Sequence, residues 1–64
     1  MSLEVVFTVR DIGAFKARED VQRIKSEEPC PKGFVVTAII DLRKYVADDP
    51  NVLYYEVCGP LSVV

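Results

Sequence analysis

Residues 34–42 read Phe-Val-Val-Thr-Ala-Ile-Ile-Asp-Leu, and this nearly unbroken apolar, β-branched run is the feature that most limits how the chain can fold. Such residues favour strands, and a strand presents alternate side chains to opposite faces of its sheet. The run therefore offers apolar side chains to both faces. A chain of 64 residues with one predicted helix can cover only one of those faces internally. We therefore expect the other face to be shared with a partner.

Length and composition indicate a single small domain over residues 1–64. A domain of this size buries only about 60% of the surface that its unfolded chain exposes, so its core is thin. Hydrophobic residues make up 50% of the chain and charged residues 28%, which excludes a disordered protein. The longest apolar run is well short of the roughly 18 residues that a transmembrane helix needs, and no signal-peptide pattern is present. We expect a cytoplasmic protein that does not contact membranes.

The first half of the sequence predicts a strand followed by a helix. Alternating apolar residues over residues 3–10 have the period of a half-buried strand. Asp11 can cap a following helix, because its side chain can accept free backbone N–H groups. Pro29 ends that helix, which we predict over residues 12–28. Its apolar stripe, at three-four-three spacing, consists of Ala14, Ala17, Val21 and Ile24.

The second half predicts two further strands, over residues 34–46 and 52–58. Between them, Asp48-Asp49-Pro50-Asn51 is typical turn chemistry, so we predict a hairpin that turns at Asp48–Asn51. Residues 59–64 are predicted to form a tail or an extension of the last strand. A competing local interpretation makes residues 41–47 a short helix capped by Asp41.

Together these elements predict a single α+β domain of order β-α-β-β, with a three-stranded sheet and the helix on one face. In the predicted hairpin register, Tyr45 lies opposite Tyr54, and Leu53, Tyr55 and Val57 lie on the face that the helix covers. The face without the helix is then partly apolar. With the chain's C-terminal residues, it gives a predicted interaction surface of Val35, Ile39, Arg43, Tyr45, Tyr54, Leu61 and Val63.

The sequence contains no pattern that is typical of an enzyme. There is no histidine, which removes the most common general base and most zinc sites. The glycines stand singly at positions 13, 33 and 59, so no glycine-rich phosphate loop is present. Cys30 and Cys58 lack a recognisable base and are expected to be reduced thiols. We predict no catalytic residue, no metal site and no cofactor.

The main hypothesis is therefore a small non-enzymatic interaction or regulatory module. It would form a homo-oligomer or bind a protein partner through the outer sheet face or an edge strand. One alternative is a small-molecule-binding homo-oligomer with a pocket between subunits, lined by Ile39, Tyr45 and Tyr54. Another is weak nucleic-acid binding through Arg43-Lys44 in an oligomer. The net charge of −2 makes nucleic acid the less favoured partner.

Overall fold

The computed structural model describes residues 2–60. Within these residues the chain forms four β-strands, one α-helix and one short 3-10 helix. The strands are β1 (Ser2–Val9), β2 (Val21–Cys30), β3 (Gly33–Asp41) and β4 (Val52–Pro60); the α-helix is α1 (Ile12–Lys16), and the 3-10 helix spans Leu42–Lys44. The strands form one antiparallel sheet in the order β2-β3-β1-β4. The prediction of a small α+β domain with one helix is confirmed, but the sheet has four strands rather than three.

The predicted helix over residues 12–28 begins where expected but ends after little more than one turn. Asp11 is its N-cap, and the carboxylate accepts the backbone N–H groups of Gly13 at 2.9 Å and Ala14 at 3.3 Å. The helix ends at Lys16. Most of the remaining predicted helix is β2, so the prediction is wrong beyond Lys16.

Bulges in β2 explain why a helical spacing occurs in a strand. Val21 and Ile24 are three residues apart, which would place them on opposite faces of a regular strand. The β2–β3 register shifts between Val21 and Arg23, so that Val21 pairs with Ile40 and Ile24 pairs with Ala38. Both apolar side chains therefore pack against the core from the same face. Apolar residues three positions apart can therefore share one face of a helix or one face of a bulged strand.

The predicted hairpin that turns at Asp48–Asn51 is also wrong. β3 forms its hairpin with β2 instead, through the two residues Pro31 and Lys32. Gly33 follows this turn at φ +149°, and an added Cβ would lie 2.1 Å from the carbonyl oxygen of Val9. A side chain at Gly33 is therefore excluded by the neighbouring backbone as well as by its own conformation. β4 pairs with β1 rather than with β3.

The second predicted strand, over residues 34–46, ends five residues early at Asp41. The Asp41 carboxylate caps the 3-10 helix by accepting the backbone N–H of Arg43 at 2.9 Å. The competing interpretation of a short helix capped by Asp41 therefore describes this segment better. Asn51, expected in a hairpin turn, instead bonds to the end of β1: its side chain accepts the Asp11 N–H and donates to the Asp11 carbonyl, both at 2.8 Å.

The core lies on one face of the sheet, which we call the helix-side face. Alternate residues of β1 and β3 point there, and α1 adds Phe15, whose ring centroid is 4.9 Å from that of Phe7. The buried apolar cluster consists of Val5, Phe7, Val9, Phe15, Val36, Ala38 and Ile40. The α-helix does not pack on the opposite face, which we call the outer face. Because α1 is so short, it covers only part of the helix-side face.

Candidate interaction surface

β4 is an edge strand with an exposed, largely uncharged surface. Tyr54 is 63% exposed, Tyr55 54% and Val57 48%, and Leu53 is also exposed. Glu56 is its one charged residue. The pairing of β4 with β1 is regular over residues 54–57, between two register shifts. An exposed apolar edge of this kind is open to pairing with a further strand.

The opposite edge, β2, has the features that discourage such pairing. Its register against β3 shifts twice, and its residues are mostly exposed and polar. Bulges, charges and proline all impede edge-to-edge association. The charged residues and the proline of β2 are Arg23, Lys25, Glu27, Glu28 and Pro29. β4 also has two register shifts and a proline, at its end, so the edges differ mainly in charge. With one charged residue against four in β2, β4 is the edge better suited to accept a strand.

The direction of the β4 backbone groups follows from the β1–β4 ladder. The Arg10 N–H donates to the Asn51 carbonyl at 3.0 Å, so even-numbered residues of β1 turn their polar backbone groups toward β4. Thr8 and Val6 are opposite Tyr54 and Glu56 in an unbroken stretch of register. The backbone N–H and C=O groups of Tyr54 and Glu56 therefore point toward β1. Because these groups alternate in direction along a strand, those of Tyr55 and Val57 point to the free edge.

An open apolar groove lies beside this edge on the helix-side face. It has a volume of about 200 Å³, and its lining includes Tyr45, Tyr55 and Val57 together with the buried Val5 and Phe7. The ring centroids of Tyr55 and Phe7 are 6.5 Å apart, so the exposed edge is continuous with the core. We call this the helix-side groove.

A buried ion cluster fixes the loop that leads into β4. The Asp20 side chain is fully buried and accepts Arg18 Nε at 2.9 Å and the Val46 N–H at 3.2 Å. Arg18 also donates to the Asp49 carboxylate at 3.3 Å and the Val46 carbonyl at 3.1 Å. Burial alone would lower the pKa of Arg18, but the hydrogen bond and charge of Asp20, with Asp49, raise it above its ordinary value. Arg18 therefore remains charged and holds the loop in place.

The cluster is structural, and the sequence reasoning missed it. Both Arg18 and Asp20 lie within the predicted helix of residues 12–28 and outside its apolar stripe, so the sequence predicts solvated side chains for them. The guanidinium carbon of Arg18 instead lies 5.6 Å from the ring centroid of Phe7 and 5.4 Å from that of Phe15. Such a position combines cation–π contact with two carboxylates. Nothing in local spacing reveals it, because Asp49 is 31 residues away in the sequence.

The structure separates the residues of the predicted interaction surface. Tyr54 is exposed next to the β4 edge, and Tyr45 lines the helix-side groove. Val35 is half-buried on the outer face, and Ile39 is only 8% exposed. Leu61 and Val63 lie outside the described residues. Tyr55 and Val57, expected beneath the helix, are exposed because β4 is at the sheet edge and α1 is short.

Arg43, the centre of the nucleic-acid alternative, is already paired. Its guanidinium lies 3.3 Å from the Asp41 carboxylate, while 77% of its side chain remains exposed. The side-chain and backbone hydrogen bonds from Arg43 hold the pKa of Asp41 below its ordinary value. The neighbouring carboxylate therefore offsets the charge that a phosphate group would meet.

The helix-side groove gives limited support to the small-molecule alternative. Its volume of about 200 Å³ is below the roughly 300–1,000 Å³ that is usual for ligand pockets. A second depression, of about 320 Å³, lies between β4 and the loop before it, and Asp49 is its one charged lining residue. Asp49 is already occupied by Arg18. Neither site shows the converging free polar groups that fix a ligand.

Two further features bear on possible partners and ligands. In the described part of the chain, no helix is long and apolar enough to cross a membrane. Residues 2–60 also contain no group of three or more Cys, Asp or Glu side chains placed to hold a metal ion. Cys30 and Cys58 are both free thiols.

Comparison with known families, curated proteins and solved structures finds no significant match to this chain.

Proposed function

We propose that the protein is a small non-enzymatic interaction module that binds an extended strand at the free edge of β4. The main supporting observation is the difference in charge between the two edges: β2 carries four charged residues, whereas β4 exposes an apolar row with one charge. Strand addition gains affinity from main-chain hydrogen bonds and selectivity from side-chain contacts. Both are available here, since Tyr55 and Val57 direct backbone groups outward beside the helix-side groove.

The non-enzymatic part of the proposal is supported by the state of the charged groups. The sequence has no histidine. The buried carboxylates, Asp20 and Asp41, are both engaged by arginine and by backbone N–H groups. Groups satisfied in this way stabilise the fold rather than provide a general base.

Binding of an extended probe peptide tests the proposal. The probe is a short fluorescein-labelled peptide of alternating valine and threonine, and its control is the same peptide with every backbone nitrogen methylated, so that neither edge can donate. We expect concentration-dependent anisotropy for the first peptide and none for the second, because methylation removes the donors that a ladder needs.

Val57→Pro locates the binding edge. Proline at position 57 removes an N–H that points to the free edge, which a sheet edge tolerates, so the fold is retained and binding is lost. Glu27→Pro on β2 is the matched control. Glu27 pairs with Val36 and lies three residues before Cys30, which closes the two-residue hairpin with Gly33, so by alternation its N–H also points outward. Binding that survives Val57→Pro but not Glu27→Pro would overturn the assignment to β4.

A further inference from the structure

We infer that a second copy of this chain can occupy the β4 edge, as an antiparallel strand with Tyr55 on the two-fold axis. This inference rests on the interaction function proposed above and adds the partner and the register. The joined sheet would contain eight strands, β2-β3-β1-β4 followed by the same strands in reverse order.

The regular part of β4 restricts the register. Residues 54–57 pair with β1 without interruption, and the register shifts on both sides of this stretch. A symmetric antiparallel pair must match outward-facing residues with outward-facing residues. The two-fold axis therefore passes between the two copies of one residue. Most of residues 54–57 pair with each other across the axis only when that residue is Tyr55 or Glu56.

Charge decides between these two registers. With Glu56 on the axis, the two Glu56 carboxylates lie directly opposite each other, which is destabilising. With Tyr55 on the axis, Tyr54 lies opposite the partner subunit's Glu56, and the charged pair is avoided. The Tyr55 side chain then faces the partner's Tyr55, and cross-strand aromatic pairs are favourable.

The position of the helix-side groove favours the same arrangement. A two-fold axis perpendicular to the sheet keeps the helix-side faces of both copies on the same side. The two grooves, each lined by Tyr55 and Val57, then flank the central tyrosine pair. Association therefore shields the exposed Tyr55 and Val57 at the margin of each groove. The contact is at the small end of protein interfaces, so we expect it to depend on concentration.

Sedimentation equilibrium of the whole chain, from micromolar to millimolar concentration, tests association. Tyr55→Lys places two ammonium groups opposite each other and is expected to weaken dimerisation by roughly tenfold or more. Tyr54→Lys makes the same chemical change one residue away, but places the lysine opposite the partner subunit's Glu56. It is therefore expected to strengthen the dimer. Equal weakening by both variants would overturn the register, and circular dichroism confirms that each variant is folded.

Cysteine cross-linking tests the register independently, in a background where Cys30 and Cys58 are serine. Cysteine at position 55 places two Cα atoms about 5.5 Å apart across the axis, within the range of a disulfide. Cysteine at position 57 is opposite residue 53 of the partner, so the two thiols are separated by about four residues, or ~13 Å. We expect rapid oxidation of Tyr55→Cys and slow oxidation of Glu56→Cys and Val57→Cys. Fastest oxidation at position 56 or 57 would refute the Tyr55 register.

The outcomes also separate this inference from the proposed function. If the wild-type chain is monomeric at all concentrations yet binds the valine–threonine peptide through β4, the proposed function is supported and the inferred dimer is overturned. If the chain neither self-associates nor binds the peptide, both the inferred dimer and the proposed function are overturned.

Discussion

Asp20→Asn should remove most of the stability of this protein, although it changes the shape of the side chain very little. The Asp20 side chain has no exposed surface, and that of Arg18 is 7% exposed. The amide of asparagine is neutral, and one of its ends is a donor that cannot bond to the guanidinium. The substitution thus leaves a buried arginine with one carboxylate, that of Asp49 at 3.3 Å, instead of two.

The magnitude follows from the burial of the pair. Breaking a buried ion pair by removing one partner costs about 3–5 kcal/mol, because an uncompensated charge stays in the interior. A chain of 64 residues has a total free energy of unfolding of about 3–10 kcal/mol. The predicted loss is therefore a large fraction of the total. The m-value in urea of so small a protein is about 1 kcal/mol/M, so the unfolding midpoint should fall by about 3 M or more.

Urea denaturation followed by circular dichroism measures this loss. The experiment is best done in the Tyr55→Lys background, so that association does not contribute to the apparent stability. Glu27→Gln is the matched control: it removes the Lys16–Glu27 pair, which is only 2.7 Å long but has both side chains more than a third exposed. An exposed pair is worth about 0–1 kcal/mol. A loss below about 1 kcal/mol for Asp20→Asn, equal to that of the control, would refute the argument that burial determines the cost.

Two other predictions concern backbone conformation and acid stability. Gly33→Ala should prevent stable folding, because the added Cβ would meet the Val9 carbonyl. Gly59→Ala has φ +130° but open space around the Cβ, so it should cost only about 1–3 kcal/mol of backbone strain. Thermal unfolding of the two variants measures the difference, and equal losses would contradict the steric explanation. Because the pKa of Asp41 is lowered in the folded state, its contribution to stability is present above its ordinary value of 3.8 and is lost as the pH falls through the lowered pKa. Asp41→Asn keeps a capping side chain, so the free energy of unfolding should fall less steeply below about pH 4 than in the wild type, and identical pH profiles would exclude this role for Asp41.

The parts of the fold that the sequence predicts well are those decided by local chemistry. Alternation over residues 3–10 locates β1 to within a residue at each end. The Asp11 cap correctly marks the start of α1, and the strand predicted over residues 52–58 lies entirely within β4. In each case the signal and the structure that it forms lie within the same few residues.

The errors arise where distant contacts decide the outcome. Apolar residues at positions 21 and 24 suit a helix, and only pairing with β3 selects the bulged strand. The turn residues at 48–51 predict a hairpin, but Asn51 bonds to Asp11, which is 40 residues away. Strand order was not predictable either. The observed order, β2-β3-β1-β4, places β4 at an edge of the sheet. Tyr55 and Val57, which the predicted fold places under a helix, are therefore exposed.

The chain has more apolar sheet than its short helix can cover, but the exposed apolar surface lies at the β4 edge rather than on the outer face. On the outer face, Ile39 pairs with Glu4, whose carboxylate bonds to Lys25 at 3.0 Å, and Ile39 is nearly inaccessible. Its cross-strand neighbours within residues 2–60, Glu4 and Arg23, have long side chains of the kind that cover an apolar residue in the middle of a sheet. An edge strand has a neighbour on one side only, so no such cover is available to Tyr55. This is why we place the interaction surface at β4 rather than on the outer face.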